Sequence, residues 1–116
     1  MGLALETVEV APRVCVVAPT GELDLYTCPD FESELTRVIS NGAEHVVVDL
    51  GQTTFIDSTA LGVLLGALES LRAHDGRLSV VGADEAIVRV FEVTGLHRIF
   101  ELRGSRAEAL GKIDAS

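Results

Sequence analysis

The chain has 116 residues, of which 47% are hydrophobic and 4% are aromatic, and it contains no tryptophan. This length suits one compact domain, whose core has to be built from aliphatic side chains. The formal net charge of −9 argues against nucleic acid and against a membrane surface as partners, because both carry negative charge themselves. We expect a protein partner with a basic face instead.

The N-terminal segment and the cysteines bear on where the protein works. MGLALETVEV has no basic residue and contains two glutamates, unlike a secretory signal peptide, and no apolar run approaches the roughly 18 residues of a membrane span. We therefore expect a cytoplasmic protein. Cys15 lies in an apolar run and is expected to be buried, whereas Cys28 lies at a helix start, where the dipole can lower a thiol pKa. An inert Cys28 is the favoured interpretation, and a disulfide between the two is poorly supported.

Strand-like and helix-like patterns alternate along the first half of the chain. Residues 5–10, LETVEV, alternate as an edge strand does, and residues 14–18, VCVVA, form a β-branched apolar run. The turn signal PTG at 19–21 is expected to end this second strand. Residues 27–42 predict a helix with Thr27 as its N-cap residue.

The second half of the chain continues the alternation. HVVVDL at 45–50 lacks polar alternation and predicts a central, buried strand. The segment 58–76 predicts a helix with a stripe of leucines facing the core, and 77–82 predicts another strand. Asp84 is expected to begin a short helix that Gly95 ends.

The remaining segments complete an α/β fold. Residues 98–102, RIFEL, predict a last short strand, and Ser105 is a candidate cap for a terminal helix. Strands and helices joined by short connections imply a mixed, partly parallel sheet of about four to five strands, with about four helices packed on it. We expect one domain over residues 1–116.

Asp57 and Ser58 stand side by side where the apolar pattern becomes helical. Ser58 is suited to the N-cap or the first turn, where its hydroxyl accepts a backbone N–H in a bond worth ~1 kcal/mol, and the helix dipole favours a carboxylate at Asp57. The same helix start is an anion site that would tolerate a phosphoryl group on Ser58. A helix cap and a phosphorylation-controlled docking site are therefore both open, and they are compatible.

Two further features bear on the docking hypothesis. The loop GELD ends in Asp24, and if it folds beside Ser58, a phosphate there would join a dense negative cluster and repel a partner fitted to the neutral hydroxyl. Gly62 and Gly66 lie one turn apart inside the helix and cost about 1 kcal/mol each relative to alanine. They serve either close packing against the sheet or the approach of another protein.

Three segments carry a likeness to a known family. TGELDLYT at 20–27, VVVDLGQTTFIDSTALGVLLGAL at 46–68 and VFEVTGLHRIF at 90–100 together resemble the STAS domain of bacterial anti-sigma factor antagonists. The resemblance covers about residues 5–112. It implies a single STAS domain that is a binding protein and not an enzyme, and that needs no cofactor of its own.

The resemblance also implies a regulatory cycle. Ser58 matches the family's phosphorylated serine, and Asp24 and Asp57 match the acidic residues around it. The expected kinase is an anti-sigma factor of the histidine-kinase-like ATPase type, which supplies ATP and Mg²⁺. The unphosphorylated chain is expected to bind this kinase and free a sigma factor for transcription, and a PP2C-type phosphatase is expected to restore that form.

A partner surface follows from the same resemblance. Its expected members are Glu22, Leu23, Thr59, Leu61 and Gly62. The chain departs from the family at Ala60, where many members carry glycine, and the extra methyl is expected to limit how closely a partner packs. Thr59 offers a second hydroxyl beside Ser58, but the matching position favours Ser58 as the phosphosite.

Three other interpretations remain open. Asp49 ends a strand as the phosphoacceptor of a receiver domain does, but VCVVA is followed by PTG rather than by an acidic pair, and the only lysine is Lys112, in the terminal helix. A hydrolase needs a base beside its nucleophilic serine, and His45, His74 and His97 are expected at the surface. A phosphorylation-independent STAS scaffold in a stress-signalling assembly is the alternative inside the family.

Overall fold

The computed structural model describes the backbone of residues 3–114 and the side chains of residues 3–111. Within that range the chain forms six β-strands and four α-helices. In chain order they are Ala4–Ala11 (β1), Val14–Leu23 (β2), Cys28–Ser40 (α1), His45–Asp49 (β3), Thr53–Ile56 (β4), Ser58–Arg72 (α2), Arg77–Val81 (β5), Glu85–Val93 (α3), Glu101–Arg103 (β6) and Arg106–Asp114 (α4). A 3₁₀ turn at Leu96–Arg98 lies between α3 and β6.

The sheet is mixed and largely parallel. Five strands follow the order β1-β2-β3-β5-β6, and β4 pairs with the far end of β2. β1 runs antiparallel to β2 at one edge, and the other pairs are parallel. The α/β class, the single-domain sheet and the edge position of LETVEV are therefore confirmed. β4 is a sixth strand that the sequence did not predict.

The central strand β3 is apolar on both faces. Val46 and Val48 join the main core, to which α1, α2 and α3 contribute, while Val47 packs with Val16 and Ala109 on the side of α4. A parallel strand that is covered on both sides reads as a continuous apolar run, because neither set of its side chains faces water. This explains why HVVVDL shows no alternation.

The strand β2 is longer than the sequence predicts. The PTG segment was expected to end it, but it continues to Leu23. Gly21 has a φ of 114°, and the register shifts between Gly21 and Glu22 as β2 changes its pairing from β3 to β4. The hydroxyl of Thr53 donates to the carbonyl of Pro19 at 3.1 Å, which helps to hold the new partner. A glycine in a strand often marks such an irregularity rather than a turn.

The helix ends differ from the expectation in smaller ways. α2 ends at Arg72 rather than at residue 76, and Asp75, with a φ of 61°, turns the chain towards β5. The carboxylate of Asp84 accepts the N–H of Ile87 at 2.9 Å, which confirms the predicted start of α3. β6 begins at Glu101, because the 3₁₀ turn takes the first part of RIFEL. No helix within residues 3–114 is long and apolar enough to cross a bilayer.

Candidate functional site

The parallel pair β2–β4 brings the two acidic segments together. Leu23 pairs with Ile56, and the N–H of Asp57 donates to the carbonyl of Leu23 at 3.2 Å. Asp24 and Asp57 therefore follow neighbouring strands at the same end of the pair. The GELD loop does fold beside the start of α2, which was the condition for a negative cluster there.

Asp57, not Ser58, caps α2. Its backbone is extended, and its Oδ1 accepts the N–H of Ala60 at 3.1 Å. Ser58 is the first helical residue, one of its two expected positions, but its hydroxyl makes no hydrogen bond to any residue that the structure describes. The side chain is exposed. The fold therefore uses the carboxylate of Asp57 and leaves the hydroxyl of Ser58 free for other chemistry.

The loop before α1 is held by its own side chains. The Oδ1 atom of Asp24 accepts the N–H groups of Tyr26 and Thr27 at 2.9 and 3.1 Å. Thr27 lies at the N-cap position of α1, but its hydroxyl donates to the carbonyl of Glu22 at 2.7 Å and makes no capping bond. The predicted N-cap position of Thr27 is therefore confirmed, but its side chain makes no capping bond, because the hydroxyl closes the preceding turn instead. This turn has a fixed backbone next to the start of α2.

The electrostatics of this region are acidic. Burial, followed by the charges of Asp57 and Asp24, raises the pKa of the Cys28 thiol to about 11. The dipole-lowered thiol expected as one possibility from the sequence is therefore wrong, because desolvation and two carboxylates outweigh the helix start. Burial also raises the pKa of Cys15, which is half-buried rather than buried, and both thiols are free.

One face of α2 is bare. Ser58, Gly62 and Gly66 follow one another at intervals of four residues, so they share a helix face, and all three are exposed. A Cβ atom on either glycine would meet no atom within 4 Å apart from the neighbouring residues and the nearby backbone of the helix itself. Close packing against the sheet is therefore the wrong explanation for the two glycines. Gly66 also lines a groove of about 270 Å³ between α1 and α2.

The residues expected at the partner surface separate into two groups. Glu22 and Gly62 are exposed and Thr59 is half-buried, so all three are accessible. Leu23 and Leu61 are 0% and 7% exposed and belong to the core, which corrects the expectation that their side chains reach a partner.

The methyl group of Ala60 also faces the core, where the residue is 0% exposed. The expected effect of this methyl on the approach of a partner is therefore wrong. The three helix positions after Ser58 thus point in different directions: Thr59 is half-buried, Ala60 points inward, and Leu61 is a core residue.

Asp49 has a structural role. Its Oδ2 lies 2.6 Å from Nε of Arg106, and its Oδ1 accepts the N–H of Gly51 at 2.8 Å. The ion pair fastens the start of α4 to the end of β3. Both oxygens of the Asp49 carboxylate therefore have partners, whereas the phosphoacceptor aspartate of a receiver domain has to be free to react.

The histidines divide between interior and surface. His45 is 5% exposed, which corrects its expected surface position, and its Nε2 lies 2.8 Å from the hydroxyl of Ser79. Its Nδ1 has no hydrogen-bond partner among the described residues. Burial and the nearby charge of Arg77 lower the pKa of His45. His74 and His97 are exposed, as expected.

Three exposed apolar side chains near Ser58 were missed from the sequence. Leu25 and Tyr26 belong to the turn after β2, and Phe55 lies in β4. No sequence pattern identified Phe55, because the burial along β4 does not alternate: Thr53 and Ile56 are buried, whereas Thr54 and Phe55 are exposed.

Comparison with known proteins places this architecture in a family. The STAS domain family matches residues 7–109. An anti-sigma-B factor antagonist of Staphylococcus aureus strain NCTC 8325 / PS 47 is 38% identical over 96 residues, which cover 83% of this chain and 88% of the relative. One from Staphylococcus epidermidis is 41% identical over 76 residues, covering 66% and 70%. The chain belongs to the STAS domain family, as its resemblance indicated.

Solved structures agree with this assignment. An anti-sigma factor antagonist from Mycobacterium paratuberculosis has a TM-score of 0.84 and 29% identity, with 96% of this chain and 95% of that chain covered. The Bacillus cell fate determinant SpoIIAA, solved in its phosphorylated form, has a TM-score of 0.75 and 23% identity, with 95% and 99% covered. At this identity the second likeness shows a shared fold.

Proposed function

We propose that the chain is an anti-sigma factor antagonist that is switched off by phosphorylation on Ser58. In its unphosphorylated form it binds an anti-sigma factor, which then releases a sigma factor for transcription. The observation that carries the proposal is the free, exposed hydroxyl of Ser58 at the start of a helix that Asp57 caps. The Staphylococcus relatives, which are named anti-sigma-B factor antagonists, support the same class of partner.

In the phosphorylation reaction, this chain supplies only the attacking hydroxyl group. The Ser58 oxygen attacks the γ-phosphorus of an ATP held with Mg²⁺ by the anti-sigma factor, the bond from that phosphorus to the β–γ bridging oxygen breaks, and ADP leaves. The hydroxyl proton passes to solvent or to a carboxylate of the kinase. The chain acts as substrate and ligand, not as the enzyme. At the first helical position the new phosphate is favoured by the helix dipole and by the free N–H groups of the first turn.

The phosphate changes the surface rather than the fold. It adds ~−1.5 to −2 charges beside Asp24 and Asp57, together with three acceptor oxygens. A partner fitted closely to the neutral hydroxyl, with Glu22, Thr59 and Gly62 around it, has no room for this hydrated group. Phosphorylation therefore ends the complex, and a PP2C-type phosphatase in the same cytoplasm restores it.

A capture experiment tests the proposal. The tagged chain and its Ser58→Ala, Ser58→Glu and Ser70→Glu variants are incubated with lysate of the source cells, and bound proteins are identified by mass spectrometry. Ser70 is exposed on the same helix, so its variant controls for the added charge. We expect an anti-sigma ATPase with every form except Ser58→Glu.

Two results would contradict the proposal. Absence of an anti-sigma ATPase from all captures would remove the proposed partner. Equal capture by Ser58→Glu and by the unmodified chain would favour the phosphorylation-independent scaffold.

A further inference from the structure

Large apolar side chains are concentrated where β2 and β4 end. Seven such side chains are exposed in the described part of the chain, and three of them lie at this end. They are Leu25, Tyr26 and Phe55, with exposed fractions of 64%, 88% and 48%. Ser58 follows Phe55 by three residues. Exposed apolar groups that are scattered need no explanation, but a set beside a modifiable hydroxyl marks an interaction surface.

The backbone keeps all three side chains outside. In the parallel pair, Glu22 lies opposite Phe55 and Leu23 lies opposite Ile56. Leu23 and Ile56 are buried in the core, whereas Glu22 and Phe55, the pair before them, are both exposed. The turn carrying Leu25 and Tyr26 is pinned by the carboxylate of Asp24, which accepts the N–H of Tyr26. The strand pairing and the pinned turn hold the backbone of this region at the end of β2 and β4.

The surroundings of these side chains define the partner's chemistry. Glu22, Asp24 and Asp57 lie among them, and the sequence has no lysine or arginine in residues 14–36 or 38–71. An anionic lipid surface is repelled by such a region. A protein face with basic residues around an apolar recess complements it in both charge and polarity.

We propose that Leu25, Tyr26 and Phe55 are the apolar anchors of the docking surface, and that they enter an apolar pocket bordered by basic side chains on the anti-sigma factor. This inference rests on the proposed function and adds the residues that give the complex its affinity. Aromatic side chains that are buried on binding are typical of the few residues that dominate an interface.

The anchors also determine how the switch works. When they close on the partner, the surface around Ser58 loses its water, and a phosphate in that area would have to lose its hydration shell. Salt screens repulsion between exposed charges but does not supply that lost hydration. The phosphorylated chain is therefore expected to stay unbound when the salt is raised to about 1 M.

Fluorine NMR tests the anchors without altering the surface by mutation. Tyr26 is the only tyrosine, so a chain labelled with 3-fluorotyrosine gives one resonance. In a chain labelled with 4-fluorophenylalanine, Phe55 is the exposed ring among four, since Phe31, Phe91 and Phe100 are buried. The probe is the purified anti-sigma factor that the unmodified chain captures. In the free chain, a soluble gadolinium chelate should broaden the resonances of the exposed Tyr26 and Phe55 rings. In the complex this broadening should disappear, because the partner covers both rings.

Variants supply the second measurement. Leu25→Ser, Tyr26→Ser and Phe55→Ser should each weaken binding at least about tenfold. Val10→Ser is the control, because Val10 is 43% exposed and lies on β1, away from this end of β2, and it should stay within about twofold. Denaturant unfolding of each variant checks that the fold is retained.

The two proposals fail in different ways. If the anti-sigma factor neither binds nor phosphorylates the unmodified chain, the proposed function fails and the anchors fail with it. If it does both, but the Tyr26 and Phe55 resonances stay open to the chelate and the serine variants bind within about twofold, only the anchors are overturned.

Discussion

The carboxylate of Asp57 and the hydroxyl of Ser58 belong to adjacent residues, yet only the carboxylate takes part in the fold. The sequence predicted that a helix starts here, but its assignment of the capping bond to the hydroxyl of Ser58 is wrong. The capping bond depends on the extended backbone of Asp57, which follows from the pairing of β4 with β2. A residue in extended conformation before the first turn is the one whose side chain reaches the free N–H groups.

Two matched aspartates test this assignment. Asp57 and Asp84 each accept an N–H three residues on, at 3.1 and 2.9 Å, so replacing either by alanine should lower the free energy of unfolding by about 1 kcal/mol. Only Asp57→Ala should also weaken binding of the anti-sigma factor, because it frees the turn that carries Ser58. Denaturant unfolding and calorimetric titration measure the two effects. Equal affinities for both variants would show that the cap does not serve the site.

His45 makes stability depend on pH. Its folded pKa lies below the unfolded value because burial and Arg77 disfavour the charged ring, while Glu101 opposes this weakly. The unfolded chain therefore binds more protons below about pH 6.5, and stability that is complete above that pH is lost as the pH falls towards the folded pKa. Ser79 is the ring's hydrogen-bond partner.

The measurement compares the free energies of unfolding at pH 7.5 and pH 5.5, which lie about one unit above and about one unit below the pKa of an unfolded histidine. The unmodified chain should lose stability by up to about 1.4 kcal/mol for each pH unit, and His45→Gln should lose less. His74→Gln is the matched control, since it makes the same substitution at an exposed histidine. The same slope in His45→Gln and in the unmodified chain would contradict the interpretation.

Among the elements, α2 combines a buried stripe of leucines with an exposed face formed by Ser58, Gly62 and Gly66. The leucine stripe followed from its periodicity: Leu61, Leu64, Leu68 and Leu71 are buried, and the fifth predicted member, Leu65, is half-buried. The role of the glycines did not follow, because the sequence does not say whether another element lies over them. No atom of another element lies within 4 Å of a Cβ placed on Gly62 or Gly66.

Alanine at these glycines separates helix stability from binding. Gly62→Ala and Gly66→Ala should each raise the free energy of unfolding by about 1 kcal/mol, since alanine favours the helix and the methyl has open space. Gly62→Ala should also weaken binding about fivefold or more, because a close-fitting partner meets the new methyl. Gly66 is ~12 Å from Ser58 along the helix and serves as the control for affinity. Unchanged affinity in Gly62→Ala would remove Gly62 from the partner surface.

The strands β2 and β4 show where sequence interpretation failed. The sequence predicts a turn at PTG and no strand at TTFI, yet the two segments belong to the β2–β4 pair, after which Asp24 and Asp57 follow. A four-residue strand is too short to show a period, and its pairing with β2 is a long-range contact that local pattern does not contain. The exposed positions of Leu25, Tyr26 and Phe55 depend on that pairing and were missed for the same reason.

In the whole molecule, Asp24, Asp57 and Ser58 lie at one end of the β2–β4 pair, and other contacts hold the rest of the sheet together. The helix α4 is fastened to β3 through the ion pair of Arg106 with Asp49. Val46, Val47 and Val48 are 0% exposed at the centre of this sheet, whereas Ser58 is exposed. The switch is therefore expected to act through the surface and not through a change of fold.

Hydrogen exchange tests this locality. Phosphorylated and unphosphorylated chains should show the same amide protection in β1, β2, β3 and β5, with differences confined to the first turn of α2 and to residues 24–27. Mass spectrometry of peptides from both forms provides the comparison. Altered protection throughout β3 and β5 would indicate a global rearrangement and contradict a surface switch.

The central claim is that one phosphate on Ser58 ends the complex with the anti-sigma factor. The most direct measurement incubates the purified chain with that protein and Mg-ATP, maps the phosphate by mass spectrometry and follows the complex by size-exclusion chromatography. We predict one phosphate, on Ser58, in the unmodified chain and in Thr59→Ala, none in Ser58→Ala, and a phosphorylated chain that elutes alone. Phosphate on Thr59, or a phosphorylated chain that still elutes with the anti-sigma factor, would contradict the claim.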